Sequence, residues 1–329
     1  MSQLRLDALT GRWVVIASDR ADRPSAFMPR SLPVQDDLGR PCPFCPEAQA
    51  LGVPGSRETH GPDGRWLVKV VPNLYPAFDG SAPMVVTHLG PVFTQAPASG
   101  VHEVLILSPE HQATWADLSD SHAGLVMLAL SDRINEHALV PGLRYSQAVV
   151  NSGREAGASI EHPHAQLMSM PFVPGEPADE VAGFARFHGN CLLCAVLDAE
   201  EDAGHRLVYS DDRVVVICPF WSGTPYQMLV LPRHHNPHLH RSSAEDLAAV
   251  GRSIRLALSA MRAHLGDLSY NVMFHSAPYR VRGDYHWHAH ILPKATTRGG
   301  FELGSGVLIN VVAPERAAIE LRTELKGFI

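Results

Sequence analysis

The order of cysteines and histidines along this chain is written twice. The first copy runs Cys42-x-x-Cys45, His111, then His162-Pro-His164-Ala-Gln166; the second runs Cys191-x-x-Cys194, His235, then His286-Trp-His288-Ala-His290. In each copy 51 positions separate the lone histidine from the first histidine of the clustered run. Tyr145 precedes His162 by 17 positions and Tyr270 precedes His286 by 16. Spacing that recurs over such distances points to one supersecondary unit used twice, and that constrains the fold more than any single motif does. The cysteine-to-histidine interval differs, 69 positions against 44, and most of the surplus falls in the Pro/Gly-rich stretch 77–99, where an insertion is easily accepted.

Local patterning supports the same division. Trp13 to Ala17, Trp66 to Val71, Val101 to Leu107 and Tyr145 to Val150 read as strands, and Thr114 to His137 as an amphipathic helix. Gly223 to Leu231 and Leu247 to Leu265 supply the matching strand and helix of the second copy. Each half is thus a meander of strands, a helix, and a strand bearing His-x-His. The expected fold class is α+β, duplicated, with one unit at 1–175 and the other at 176–329.

The residue types at the repeated positions carry chemistry. Two thiolates and two imidazoles form a closed tetrahedral zinc set, matched to a borderline-soft cation. Cys42, Cys45, His111 and His162 make one such set, and Cys191, Cys194, His235 and His286 the other, so about two zinc ions per chain are expected. His235 is the least certain ligand of these, because His234, His238 and His240 crowd around it. If His162 to Gln166 is a strand, alternate side chains share a face at intervals of about 7 Å. That would line up His162, His164 and Gln166. Upstream lie Asn151, Ser152, Gly153, Gly157 and Ser159, small and hydrogen-bonding residues whose backbone can approach a phosphate closely. Arg20 and Arg23 sit in a loop after the first strand, either as solvated surface or as phosphate contacts.

Composition narrows the classes. The chain has 329 residues, 45 % hydrophobic and 19 % charged, enough apolar content for real cores. A net charge of −7 with no basic block disfavours broad nucleic-acid or anionic-membrane binding. The N-terminal segment lacks a charged-then-apolar signal pattern, and the longest apolar run, near Ala123 to Leu130, is too short to span a bilayer. A cytoplasmic location is the expectation. In a reducing compartment the two Cys-x-x-Cys pairs suggest metal ligands before disulfides, and Cys218, within an apolar run, reads as core.

Taken together, CPFC, SPEH, the Asn-Ser-Gly approach and HPHAQ resemble the galactose-1-phosphate uridylyltransferases of the histidine-triad superfamily, as does the N-terminal LTGRWVVIASDRADRP. The resemblance covers nearly the whole chain. It implies two histidine-triad-like domains with antiparallel sheets and a homodimer whose active site borrows residues from the partner. It also implies His164 as the catalytic nucleophile, Gln166 beside it, Asn151, Gly157 and Ser159 on the nucleotide, and Arg20 and Arg23 in the arginine-bearing loop. The enterobacterial branch of that family binds iron through a glutamate and three histidines, near Glu180, His275, His288 and His290 here. The second Cys-x-x-Cys pair, with Asn73-Leu74-Tyr75-Pro76 and Gly300-Phe301-Glu302, is similar instead to the plant ADP-glucose phosphorylases. Asn73, Phe301 and Glu302 become candidate substrate contacts, with Glu302 a partner for sugar hydroxyls. The zinc set is the favoured second metal site, and iron at Glu180, His275, His288 and His290 is its rival.

The implied reaction is ping-pong. His164 takes the nucleotidyl group from UDP-glucose, releases glucose 1-phosphate, and passes the group to galactose 1-phosphate. Two rivals stand beside it: an adenylyltransferase acting on ADP-glucose and phosphate, and a zinc-stabilised nucleotide-binding protein without turnover.

Overall fold

The computed structural model describes residues 2–20, 41–49, 52–281 and 283–329. Along the chain come β1 (Gln3–Leu6), β2 (Trp13–Ile16), α1 (Pro46–Gln49), β3 (Arg57–His60), β4 (Trp66–Pro72), β5 (Thr87–Leu89), β6 (Phe93–Gln95), β7 (Val101–Ile106), α2 (Asp120–Ala138), β8 (Tyr145–Ser152) and β9 (His164–Met170). Then follow α3 (Gly175–Arg186), α4 (Leu192–Ala203), β10 (Leu207–Ser210), β11 (Val214–Ile217), β12 (Met228–Pro232), α5 (Ala244–Leu265), β13 (Tyr270–His275), β14 (His288–Pro293), α6 (Gly300–Ser305), β15 (Leu308–Asn310) and α7 (Pro314–Leu325). No helix among the described residues is long and apolar enough to cross a membrane.

Ten of these strands form one sheet in the order β10-β11-β12-β14-β13-β8-β9-β7-β4-β3, and every neighbouring pair is antiparallel. Read outward from the centre, β8-β9-β7-β4-β3 and β13-β14-β12-β11-β10 are the two copies of one five-stranded arrangement, joined where β8 pairs with β13. The α+β class and the duplication are both borne out.

Strand alternation gives the sheet two faces. The back face carries Val68, Val70, Leu105, Leu167, Val214, Val216, Val230, Val272, Ala289 and Ile291, and it is covered by α2 and α5 in one continuous apolar core. These two helices cross at glycines. Trp115 Nε1–H donates to the Gly251 carbonyl at 3.1 Å, and a Cβ on Gly251 would stand 2.4 Å from the Ala123 carbonyl oxygen. The front face carries His102, His164, Gln166, His275, His288 and His290. In the second half it is covered by α3 and α4, which pack Phe184, Leu193 and Leu197 against Val215, Ile217, Leu229 and Leu231. The corresponding cluster of the first half is small: Val71, Val104 and Ile106, with Phe44, Val53 and Trp66 against them.

Three expected boundaries move. The helix expected over Thr114 to His137 is interrupted, because Ser119 leaves the helical conformation to cap α2 by accepting the His122 N–H at 3.1 Å. The strand expected from Gly223 starts only at Met228, since Gly223 N–H donates to Gln227 Oε1 at 2.8 Å and Tyr226 adopts a φ of 58° in a turn. The third concerns the histidine run: β9 begins at His164, so His162 lies just before the strand instead of on its face.

The helix crossing makes a stability prediction. Gly251→Ala gains about 1 kcal/mol of helix propensity but drives a methyl into a backbone carbonyl. The overpacking cost of about 1–3 kcal/mol should win. Urea unfolding followed by circular dichroism should show a lower midpoint for this variant.

Candidate functional site

His164, the first residue of β9, is buried. Its Nδ1–H donates to the His162 carbonyl at 2.9 Å, and burial lowers its pKa, so the ring is neutral with its lone pair on Nε2. No hydrogen bond to Nε2 is made among the described residues, and the Phe44 ring stands 5.3 Å from the imidazole. An imidazole held this way can act as a nucleophile without first losing a proton. Gln166, two residues on, shares the front face and is opposite Val149 of β8.

Beside the strand, Asn151 is the penultimate residue of β8 and accepts a hydrogen bond at 2.8 Å from Asn271 Nδ2, its pairing partner on β13. The chain then turns at Gly153 and Gly157, with φ of 82° and 89°, which disfavours any side chain there. Gly153 has a second constraint: a Cβ would lie 2.0 Å from Ser269 Oγ. The Ala156 and Ala158 N–H groups close the turn on the Gly153 carbonyl, leaving Gly157 and Ser159 exposed at the rim.

Among the described residues, three groups of side chains converge so that each could hold a cation, with the candidate ligand atoms of each within 4.8 Å of one another. In the first, Cys45 Sγ lies 3.4 Å from His111 Nδ1 and 3.8 Å from His162 Nδ1, with Cys42 completing the set. In the second, Cys194 Sγ lies 3.7 Å from His235 Nδ1 and 3.5 Å from His286 Nδ1, and Cys191 Sγ 3.8 Å from His286 Nδ1. Sulfur and nitrogen ligands of one tetrahedral zinc stand about 3.5 Å apart. The outer nitrogens are held too. His162 Nε2–H donates to the Ser108 carbonyl at 2.8 Å and His286 Nε2–H to the Pro232 carbonyl at 2.9 Å, which turns each Nδ1 inward. Burial and the adjacent Cys191 push the Cys194 thiol up to about 12, crowding that a cation would relieve.

The third group is Glu180, His275, His288 and His290, all buried. His275 Nδ1–H donates to Glu180 Oε1 at 2.8 Å, Tyr285 O–H donates to Oε2 at 2.6 Å, and the Nε2 atoms of His288 and His290 lie 3.6 and 3.7 Å from Oε1. Burial alone would raise the Glu180 pKa, but its interactions with His275 and His288 hold it well below the usual carboxylate range. His288 Nε2 and His290 Nε2 are buried without a hydrogen-bond partner among the described residues, orphans that a cation would satisfy. The two second-half sets were expected to compete. They share no residue, because His286 precedes β14 whereas His288 and His290 lie on its front face.

Residues 1–174 match the N-terminal domain model of galactose-1-phosphate uridyl transferase, and residues 200–297 match the HIT domain. The chain belongs to the galactose-1-phosphate uridyl transferase family. It is 30 % identical to the ADP-glucose phosphorylase of Arabidopsis thaliana, over 97 % of this chain and 92 % of that one. With the galactose-1-phosphate uridylyltransferase of Thermotoga maritima it shares 26 % identity over 98 % of both chains. Its fold superposes on the crystal structure of an Arabidopsis ADP-glucose phosphorylase with bound ADP-glucose at a TM-score of 0.82, with 28 % identity over 98 % of each chain.

Within this uridyl transferase framework, the remaining expected contacts divide: Asn73 Nδ2 lies 3.1 Å from His102 Nε2, the ring that contacts Gln166, whereas Phe301 and Glu302 make no such contact. Arg20 ends a short 3-10 turn at Ser18–Arg20, and Arg23 lies outside the described residues. Asn73 is half-buried, with Oδ1 accepting the Tyr75 N–H at 2.9 Å. Phe301 and Glu302 sit on α6; Phe301 is exposed, and Glu302 Oε2 accepts the Gly299 N–H at 2.9 Å. No hydrogen bond or ring contact joins either to His164 or Gln166 within the chain. Two front-face residues were missed by the sequence reading. His102 Nε2 lies 3.0 Å from Gln166 Oε1, and Asn271 holds Asn151. Neither belongs to a repeated spacing, so no sequence signal marked them.

Because the second-half sets are independent, their metals should be lost independently. Cys191→Ser/Cys194→Ser should lower bound transition metal by about one equivalent per chain, the content of one closed site. Glu180→Gln should remove a different equivalent. Elemental analysis of purified protein, with wild type alongside, reads both.

Proposed function

We propose that this chain is a nucleotidyltransferase that moves a uridylyl group between a UDP-hexose and a hexose 1-phosphate through a covalent adduct on His164. The observation that carries this reading is the His164 tautomer: Nδ1–H is given to the His162 carbonyl, and the lone pair is on Nε2. His164 Nε2 attacks the α-phosphorus of UDP-glucose, and the bond from that phosphorus to the bridging oxygen breaks as glucose 1-phosphate departs. The leaving group is a stable phosphate, so no strong general acid is required. Galactose 1-phosphate then enters, its phosphate oxygen attacks the adduct, and Nε2 regains its lone pair. Gln166 donates from a neutral amide, which steadies the phosphoryl oxygens without a charge that would trap the intermediate. Asn151, Gly157 and Ser159 border the nucleotide.

Zinc fits both Cys₂His₂ sets, where soft thiolates and imidazoles close the shell and leave no position for water. The Glu180 set, three imidazoles and a carboxylate, fits iron. On this reading all three are structural, and removing the first should cost both folding and activity, since His162 lies two residues from the nucleophile.

The second copy also contains a histidine with the nucleophile's hydrogen bond: His288 Nδ1–H donates to the His286 carbonyl at 2.8 Å. Its Nε2 faces Glu180, and Tyr285 packs against Phe184 with ring centroids 4.5 Å apart, so the equivalent space is filled. This supports chemistry in the first copy alone.

A homodimer is part of the proposal. The β5–β6 hairpin and its flanks expose Leu74, Tyr75, Val85, Val92 and Phe93, each more than 60 % accessible, an apolar surface that a second copy would cover. The exposed Phe301 and the half-buried Glu302 are then available to a neighbouring subunit's sugar site. Sedimentation equilibrium should give a dimer, and Val92→Asp/Phe93→Asp should shift it towards monomer.

A second reading is favoured by the 30 % identity with the Arabidopsis ADP-glucose phosphorylase: the same chemistry on ADP-glucose, with phosphate as acceptor. One experiment addresses both. Protein incubated with UDP-glucose or with ADP-glucose, and no acceptor, should gain a nucleotidyl mass on His164. The phosphoramidate should be lost in acid and survive mild base. His164→Gly should take no adduct, whereas His288→Ala should retain adduct formation and exchange. An adduct from ADP-glucose alone would transfer the function to the phosphorylase reading. Labelling of His164→Gly would overturn the nucleophile.

A further inference from the structure

One histidine on the front face stands outside the repeated spacing and outside every cation group. His102, on β7, is buried, and both of its ring nitrogens have neighbours. The Ala77 N–H donates to Nδ1 at 3.0 Å. A backbone amide can only donate, so Nδ1 holds the lone pair and Nε2 the proton. Two amide side chains approach that proton: Gln166 Oε1 at 3.0 Å and Asn73 Nδ2 at 3.1 Å. Asn73 has its oxygen committed to the Tyr75 N–H, and an amide nitrogen has no lone pair to offer. The His102 Nε2–H therefore donates to Gln166 Oε1.

A primary amide has two ends of opposite use to a phosphate. Its NH₂ stabilises phosphoryl oxygens, and its carbonyl oxygen repels them. Rotation by half a turn exchanges the two at little steric cost, so an untethered glutamine would present the wrong end part of the time. We propose that His102 is the positioning residue that sets this rotation: it engages the Gln166 oxygen, and the NH₂ is left for the phosphoryl group carried by His164. The inference rests on the nucleotidyl transfer reading given above. The chain of contacts begins at the backbone of Ala77, so the amide's orientation is set ultimately by a group that cannot rotate.

The test uses the full chain and measures kcat and KM for nucleotidyl exchange, with the adduct-forming nucleotide sugar as substrate. His102→Leu should lower kcat roughly 3- to 10-fold, the worth of one hydrogen bond, with a smaller change in KM. In a Gln166→Ala background the same substitution should cost less than about twofold, because the group it positions is already gone. Two conservative variants separate positioning from loop anchoring. His102→Gln places an amide nitrogen near the former Nε2 and should recover most of the loss. His102→Asn reproduces only the acceptor for the Ala77 N–H and should not. Equal losses in both backgrounds, or recovery by Asn and not by Gln, would overturn the proposal. If His102→Leu does not fold, the Gln and Asn pair still decides. Absence of exchange in the unsubstituted protein would overturn the transferase reading and this role with it, whereas additive losses in an active enzyme would remove only the role of His102.

Discussion

The pairing of β8 with β13 is the contact on which the rest of this molecule depends. It runs antiparallel from Tyr270 opposite Ser152 to Phe274 opposite Ala148, and it merges two five-stranded copies into one sheet. Once this register is set, strand alternation places every front-face side chain of both copies on one side and every apolar back-face residue beneath α2 and α5. A slip of one residue would turn Asn271 away from Asn151 and move Val272 out of the core. The second copy thereby supplies a hydrogen bond to the site of the first, from Asn271, although its own front-face histidines His275, His288 and His290 gather on Glu180.

Backbone carbonyls do the orienting throughout the front face. His162 and His286 each give Nε2–H to a carbonyl 54 residues earlier, those of Ser108 and Pro232, which turns the Nδ1 atoms onto the cysteines. His164 and His288 each give Nδ1–H to a carbonyl two residues earlier, which turns the Nε2 atoms outward from the strand. Adjacent histidines in one short run thus use opposite nitrogens because their carbonyl partners differ. At these paired histidines the copies diverge in what meets the outward nitrogen. Glu180, brought by α3, meets His288; among the described residues no carboxylate meets His164.

Much of this was legible in the sequence because it is carried by spacing. The recurrence of 51 positions picked out a candidate ligand set in each half, and all eight Cys₂His₂ residues come together in two groups, His235 included. Spacing does not say which way a ring nitrogen points, and this is why the Glu180 set looked like a rival to the second Cys₂His₂ set. His286 lies ahead of β14, His288 and His290 lie on it, and that step of two residues separates the sets. His102 and Asn271 were illegible for another reason. Each matters through a partner on a neighbouring strand, Gln166 and Asn151, and strand order is decided by the whole sheet. Phe301 and Glu302 were read by resemblance alone, and neither makes a hydrogen bond or ring contact with His164 within the chain.

A sheet built by joining two copies at their inner strands stays open, with two outer borders instead of a closed circuit. Each border strand has only four residues and a register irregularity, between Thr59 and His60 in β3 and between Leu207 and Tyr209 in β10. β3 adds Arg57, Glu58 and His60, with Glu58 tied to Lys69 at 2.9 Å, while α7 packs against β10. Short, bulged, charged or covered borders give an intruding strand no straight ladder to extend. Duplication lengthened the sheet from within, and the devices that guard it against runaway edge-to-edge polymerisation remained at its ends.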